Sequence, residues 1–212
     1  MNVKLQWATP DIDKQIMYMA RVSNPANQNS ENSRLLHYCM EHGHVSPFEM
    51  ASVCLEIDTT RDIGRQILRH RSFSFQEFSQ RYADATQLGE FARRECRMQD
   101  KTNRQSSLEC DDVETAAWWA HAQFEQVQES LDLYQRALEK GIAKEQARAL
   151  LPEGLTPSRL YMTGSIRSWI TYLQVRLEAG TQKEHRLIAE QALVVLRDVA
   201  PVTVNAFFPE VA

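Results

Sequence analysis

The sequence predicts an α+β fold: a mostly helical single domain spanning residues 1–212, packed on a small antiparallel sheet. Three observations lead there. The 212 residues are 43% hydrophobic and 25% charged, which suits one ordinary core, since single cores stop growing at roughly 250 to 300 residues. Two short stretches alternate apolar and polar side chains, as half-buried strands do, while most of the rest carries helical spacing. Strands and helices do not alternate regularly, which argues against a doubly wound sheet.

Taken in order, Val3 to Trp7 alternates and reads as a first strand, after which Pro10 and Asp11 open a helix toward Arg21. Ser30 to Glu41 spaces Leu35, Leu36, Cys39 and Met40 as a helix, and Gly43 stands where a helix C-terminus favours glycine. Ala51 to Asp58 places Val53, Leu55 and Ile57 on one face and Ser52, Cys54, Glu56 and Asp58 on the other. Thr59 and Thr60 offer an N-cap to a helix that runs into Arg69. From Tyr82 to Cys110 the chain is polar and aperiodic, with Arg93, Arg94, Arg97, Lys101 and Arg104 close together, and reads as a long irregular segment. Asp111 to Lys140 is a long helix whose Trp118, Phe124, Val127, Leu131, Tyr134 and Leu138 read as core. Ala143 to Leu151, Ser165 to Leu177 and Gln182 to Val199 complete the helices, with Ala179-Gly180 separating the last two.

The formal charge of −4 provides no overall field for a polyanion, so phosphate binding has to come from local arginines and the partner should be small, not a nucleic acid. Cys39, Cys54, Cys96 and Cys110 form no CxxC pair, suggesting neither a zinc site nor a disulfide framework and placing the chain in a reducing compartment. No stretch reaches the ~20 apolar residues of a membrane span, and Met1 to Pro10 does not read as a secretion signal. A cytoplasmic location is expected. Neither GxGxxG nor a P-loop is present, so any nucleotide cofactor binds by other means.

The densest chemistry is Arg69-His70-Arg71-Ser72-Phe73-Ser74-Phe75-Gln76-Glu77-Phe78-Ser79-Gln80-Arg81-Tyr82. Arg forks and Ser hydroxyls suit a phosphorylated planar ligand, although composition alone fits a solvated helix end and turn equally well. The order of residues resembles the signature of flavin-dependent thymidylate synthases. Arg-His-Arg is followed after seven residues by Ser, with Glu two before that Ser and Arg-Tyr two after it. Ala20-Arg21-Val22-Ser23, His42-Gly43-His44-Val45-Ser46-Pro47-Phe48-Glu49, Arg65-Gln66, Ala147-Arg148 with Leu151-Pro152, and Arg167-Ser168 with Arg176 resemble other segments of that family in the same order. Departures are Gln76 where the family often has Asn, Ser165 and Thr171 where some members have Asn, and Glu178-Ala179-Gly180-Thr181 in place of an Asp-Ser-His turn.

The resemblance implies reductive methylation of dUMP to dTMP in a homotetramer with shared active sites. FAD is the implied cofactor, methylenetetrahydrofolate the carbon donor and NADPH the reductant, with no metal and no enzymic cysteine. It implies that Arg69, His70 and Arg71 hold the flavin, with Ser23, Ser46, Glu77, Ser165, Arg167 and Thr171 as further cofactor contacts. Gln66, Glu77, Ser79, Arg81, Arg148 and Arg176 are implied for dUMP. Arg176, Arg81, Ser79 and His44 are expected to be catalytic, with Arg176 on the uracil carbonyl and His44 as a gate or proton shuttle. Two other readings compete: a flavin reductase on the same scaffold, and an RNA-binding module stacking bases on Phe73, Phe75 and Phe78.

Overall fold

A computed structural model describes residues 1–209; residues 210–212 of the expected domain lie outside the described residues. The sheet is antiparallel, as expected, with strands β1 (Asn2–Ala8), β2 (Ser52–Thr60), β3 (Ser74–Glu77) and β6 (Pro157–Ser165) in the order β1-β2-β6-β3. β1 and β2 are the strands that alternation predicts. β3 and β6 went unassigned in the sequence, and both belong to the site. β6 pairs with β2 from Ser52↔Ser165 to Thr60↔Pro157, and β3 sits on its other edge from Ser74↔Thr163 to Glu77↔Leu160. Pro157 stands at the first residue of its strand, where a missing N–H is tolerated.

Around the sheet lie α1 (Ile12–Ala20), α2 (Arg34–Glu41), α3 (Arg61–Ile67), α6 (Ile166–Arg176), α7 (Lys183–Val199) and α8 (Pro201–Phe207). One core joins Val53, Leu55, Ile57, Leu160 and Met162 of the sheet to Ile16, Leu36, Ile63, Trp169, Leu173, Ile188 and Val204 of the helices. α8, which the sequence reading did not assign, is tied to α1 through Asp13, whose carboxylate accepts from the backbone N–H groups of Val202 (2.9 Å) and Thr203 (3.0 Å). Those are two of the donors a helix start leaves unpaired.

Several expectations need correcting. β2 is not half-buried: Cys54 and Glu56 on its polar face are also covered, and Glu56 is joined by Gln6 (3.3 Å) and Arg159 (3.6 Å) from the neighbouring strands. A central strand is covered on both faces by its neighbours' side chains. α2 begins at Arg34 rather than Ser30. α3 stops at Ile67, before Arg69, and Thr60 does not cap it: its hydroxyl donates to Asp62 (2.5 Å) and accepts from Arg94 (2.7 Å). The first predicted helix after the long one, Ala143 to Leu151, is a short α5 (Lys144–Ala147) continued by a 3-10 turn, Arg148–Leu150.

The stretch from Tyr82 to Cys110 is irregular only in part. It carries a 3-10 turn, Ala85–Leu88, and a hairpin of β4 (Arg97–Gln99) and β5 (Ser107–Glu109), whose Arg97↔Glu109 register brings Cys96 beside Cys110. Arg94 anchors this segment, reaching Asp62 (2.8 Å), Gly154 O (3.0 Å) and Glu184 (3.4 Å).

α4 (Val113–Glu139) matches its expected span but is core scaffolding only in its C-terminal half, where Tyr134 and Ala137 form a small second core with Ala85 and Ala147, and Leu138 packs against it. Its buried residues are Gln123, Ser130, Tyr134 and Ala137, while Trp118 is 65% and Phe124 49% exposed. The N-terminal part of the apolar spacing that looked like core, at Trp118 and Phe124, is a surface in the single chain.

Candidate active site

α3 ends one turn before the Arg-His-Arg segment, so Arg69, His70 and Arg71 leave the helix as a turn, with His70 N–H still donating to Ile67 O (3.0 Å). Across from it stands the last turn of α6, where Arg176 Nε donates to His70 Nε2 at 2.9 Å. An arginine has only donors, so Nε2 must be the unprotonated nitrogen and the ring proton lies on Nδ1. Burial, then the charges of Arg176 and Arg69, push His70 down to about 4. His70 is thus a neutral acceptor that orients Arg176, and only Nδ1 remains to donate to a ligand. Arg69 and Arg71 are exposed, and among the described residues their guanidiniums have no hydrogen bond or ion pair.

Behind this turn lies a residue that sequence reasoning passed over. His185, fully buried on α7, places Nε2 3.2 Å from the Tyr172 hydroxyl and Nδ1 3.3 Å from Gln66 Oε1. Burial, then Arg176 and His70, push it down to about 3. The one signal in the sequence was a histidine on the apolar face of an amphipathic helix, which is more often a satisfied core residue than a functional one.

The two neutral imidazoles set a pH dependence. In the unfolded chain each titrates near 6.5, so below that value unfolding takes up protons that the folded chain does not hold. Their contribution to stability is complete above about pH 6.5 and is lost as pH falls toward 4 for His70 and 3 for His185. At pH 5 unfolding should consume roughly two protons from this source. Denaturation midpoints measured from pH 7.5 to 4.5 should fall accordingly, and replacing either histidine by an apolar residue should flatten the slope by about one proton.

A second cluster adjoins the first. Ser168 Oγ donates to Ser72 O (3.1 Å), holding the turn after Arg-His-Arg against the start of α6. Ser165 caps α6, accepting from Ser168 N–H (3.2 Å), and donates to Glu49 (2.5 Å). Arg167 donates to the other Glu49 oxygen at 3.1 Å. Glu49, which the sequence reading set aside as a cap or ion-pair partner, thus joins the 3-10 turn Ser46–Glu49 to α6. Thr171 turns its hydroxyl to Arg167 O (3.1 Å), an ordinary intrahelical contact. His44 lies beside the rings of Tyr38 and His42, 5.8 and 6.1 Å between centroids, and Ser23 is exposed on the turn after α1.

The remaining candidates form a third group. Arg81 Nε donates to Glu145 (3.2 Å), Arg148 Nε donates to Glu145 O (3.2 Å), and Ser79 Oγ accepts from Arg81 N–H (3.4 Å). Glu77 on β3 is engaged by Ser158 (2.8 Å) and lies 3.7 Å from Arg61. Among the described residues no hydrogen bond or ion pair joins the Arg81 group to the His70 group. A groove of about 910 Å³ opens between the β4–β5 hairpin, α4 and the start of α7, lined by Trp118, Trp119, Arg97, Arg104 and Lys183 and reaching Gln182. None of residues 69–82 lines it.

Comparison with known proteins bears on this arrangement. The chain matches the family described as "Thymidylate synthase complementing protein" over residues 4–202. It is 54% identical to a flavin-dependent thymidylate synthase of Synechocystis sp. over 174 residues, 82% of this chain and 79% of the relative. It is 51% identical over 172 residues to a probable flavin-dependent thymidylate synthase of Paramecium bursaria Chlorella virus 1, 80% of this chain and 78% of the relative. A crystal structure of a UMP/dUMP methylase, PolB from Streptomyces cacaoi, bound with 5-Br dUMP, superposes with a TM-score of 0.79 at 29% identity, covering 97% of this chain and 93% of that one. With the signature turn, its partner arginine and nearly the whole chain length matched, this protein belongs to the thymidylate synthase complementing family, that of the flavin-dependent thymidylate synthases.

Proposed function

We propose that the protein, acting as one domain in the cytoplasm, converts dUMP to dTMP with a methylene group from methylenetetrahydrofolate and reducing equivalents from NADPH passed through FAD. The observation that carries the reading is the pairing of neutral His70 with Arg176 between two uncommitted arginines. The residues fit FAD: Arg69 and Arg71 offer free forks for its diphosphate, and His70 offers an Nδ1–H to the ring system without adding a charge. Ser23 and Ser46 stand exposed as further hydroxyl donors. When bound, FAD supplies hydride transfer, the step that the protein's own side chains cannot perform.

For dUMP, Arg176 spends only Nε on His70, leaving its Nη groups for a uracil carbonyl that gains negative charge as the ring is reduced. Gln66 would read the base. Ser79, Arg81 and Arg148 would hold the phosphate, with Glu77 fixing β3 beneath them. The absence of a cysteine nucleophile is supported by chemistry: a nucleophilic thiol needs a lowered pKa, whereas burial raises Cys39 and Cys96, and Cys54 is buried. A homotetramer with shared sites is supported by the separation of the Arg81 and His70 groups within one chain and by the exposure of Trp118, Phe124 and Tyr82.

The test is genetic and chemical together. Expression in a thymidine-requiring strain should restore growth, and the purified yellow protein should form dTMP only with NADPH and methylenetetrahydrofolate. Arg81→Ala should lower kcat/KM for dUMP on the order of 10- to 100-fold and fail to restore growth. Its fold should be unaffected, since the Arg81–Glu145 pair is exposed. A soluble, FAD-loaded protein that oxidises NADPH but whose flavin spectrum ignores dUMP would point to the reductase instead.

A further inference from the structure

Gln66 stands in the middle of a hydrogen-bond chain with a single permitted direction. The chain starts at Glu184, whose carboxylate can only accept and which is pinned by Arg94 at 3.4 Å. Gln182 Nε2 donates to Glu184 at 2.9 Å, and Gln66 Nε2 donates to Gln182 Oε1 at 2.7 Å. Flipping Gln182 would set its oxygen against a carboxylate; flipping Gln66 would then set two amide oxygens together. Both orientations are therefore fixed by electrostatics. Gln66 Oε1 faces His185 Nδ1 at 3.3 Å, so that nitrogen carries the proton, and His185 Nε2 accepts from the Tyr172 hydroxyl at 3.2 Å. Burial keeps Tyr172 protonated well above the usual phenol range, which preserves it as the donor. Every polar atom of the chain has the one role its neighbours allow.

We infer that His185 is a positioning residue for nucleotide recognition: its Nδ1–H, backed by Tyr172, and the Gln182–Glu184 arm together lock the Gln66 carboxamide in one orientation. One N–H and one lone pair of Gln66 remain, donor beside acceptor. That pair complements the imide edge of a uracil, where an N–H stands beside a carbonyl. A buried site built to hydrogen-bond a ligand discriminates strongly only if its donors and acceptors cannot flip, and a free glutamine would read either pattern. The inference rests on the assignment of Gln66 to dUMP and adds what holds it.

The experiment is a double-mutant cycle on the FAD-loaded full-length protein, reading the dissociation constant of dUMP by equilibrium dialysis and kcat and KM by dTMP formation. Gln66→Ala should weaken dUMP binding about 10-fold and His185→Leu about 5-fold. The double variant should be no weaker than Gln66→Ala alone, because His185 acts through Gln66. His185→Asn, whose amide nitrogen stands near the Nδ1 position, should recover most of the loss, and KM should move more than kcat throughout. If His185→Leu loses its fold or its FAD, His185→Gln, which shifts the N–H away from Gln66, takes its place with the same expected pattern. Additive effects in the double variant, or no recovery with Asn, would overturn the inference alone. An unchanged dUMP affinity in Gln66→Ala would overturn the assignment of Gln66 as well.

Discussion

Arg176→Lys should lower dTMP formation by at least about 100-fold, the scale on which removing one preorganised donor from a developing anion is felt. Lysine keeps the charge but has a single donor centre in place of a planar fork. In the proposed reaction Arg176 has two tasks: Nε is fixed on His70 at 2.9 Å, which would aim the Nη groups at the base. An ammonium that stays on His70 cannot reach the base in the same geometry, and one that reaches the base leaves His70 Nε2 without its donor. The loss should fall on kcat, since the interaction strengthens as charge develops, with dUMP affinity changed much less. His70 should remain depressed in this variant, because burial is the first cause of its shift and Arg69 the third. Single-turnover reduction of enzyme-bound flavin by NADPH, followed by dUMP methylation, separates the two steps: only the second should slow. A lysine variant within about threefold of the parent in kcat would show that the site uses Arg176 as a bare charge.

What could be read locally was read. β1, β2, α1, α4, α6 and α7 announce themselves by period, and the Arg-His-Arg turn by composition and order. What the sequence hid depends on partners far along the chain. β6 alternates burial, with Ser158, Leu160, Met162 and Gly164 inward, yet its serines, glycine and leading proline weaken the pattern. Only pairing with β2, some hundred residues away, makes it a strand. β3 shares its residues with the signature, so its chemistry masked its backbone. His185 becomes meaningful only when α7 packs beside α6 and the end of α3, bringing Tyr172 and Gln66 to its two nitrogens. α4 failed in the opposite way: Trp118 and Phe124 have the right spacing for a core but lie at the surface of the chain, because periodicity reports that a face is apolar and not what covers it.

Gly164→Ala should be the most damaging glycine-to-alanine change among the described residues. Gly164 is the penultimate residue of β6, paired with Val53, and a Cβ built there would collide with Cδ1 and Cε1 of the Phe73 ring. Phe73 cannot yield cheaply. It is 8% exposed, with Trp169 at 4.8 Å and Tyr172 at 6.1 Å between ring centroids. Overpacking of this kind costs about 1–3 kcal/mol, and a rigid aromatic neighbour puts this site at the upper end. The effect should also reach the chemistry. Phe73 lies two residues after Arg71, and its backbone N–H donates to His70 O at 3.3 Å, so a displaced ring should drag His70 from Arg176. Urea denaturation should show a loss of about 2–3 kcal/mol, and the purified variant should retain less flavin. Adding Phe73→Leu, which removes Cε1 and exchanges the rigid ring for a branched side chain that can turn its Cδ atoms aside, should recover part of both losses, less the cavity left by the smaller side chain. Stability and flavin content restored together would tie the bare backbone of Gly164 to the shape of the Arg-His-Arg turn; restoration of stability alone would mean that the turn holds its geometry without Phe73.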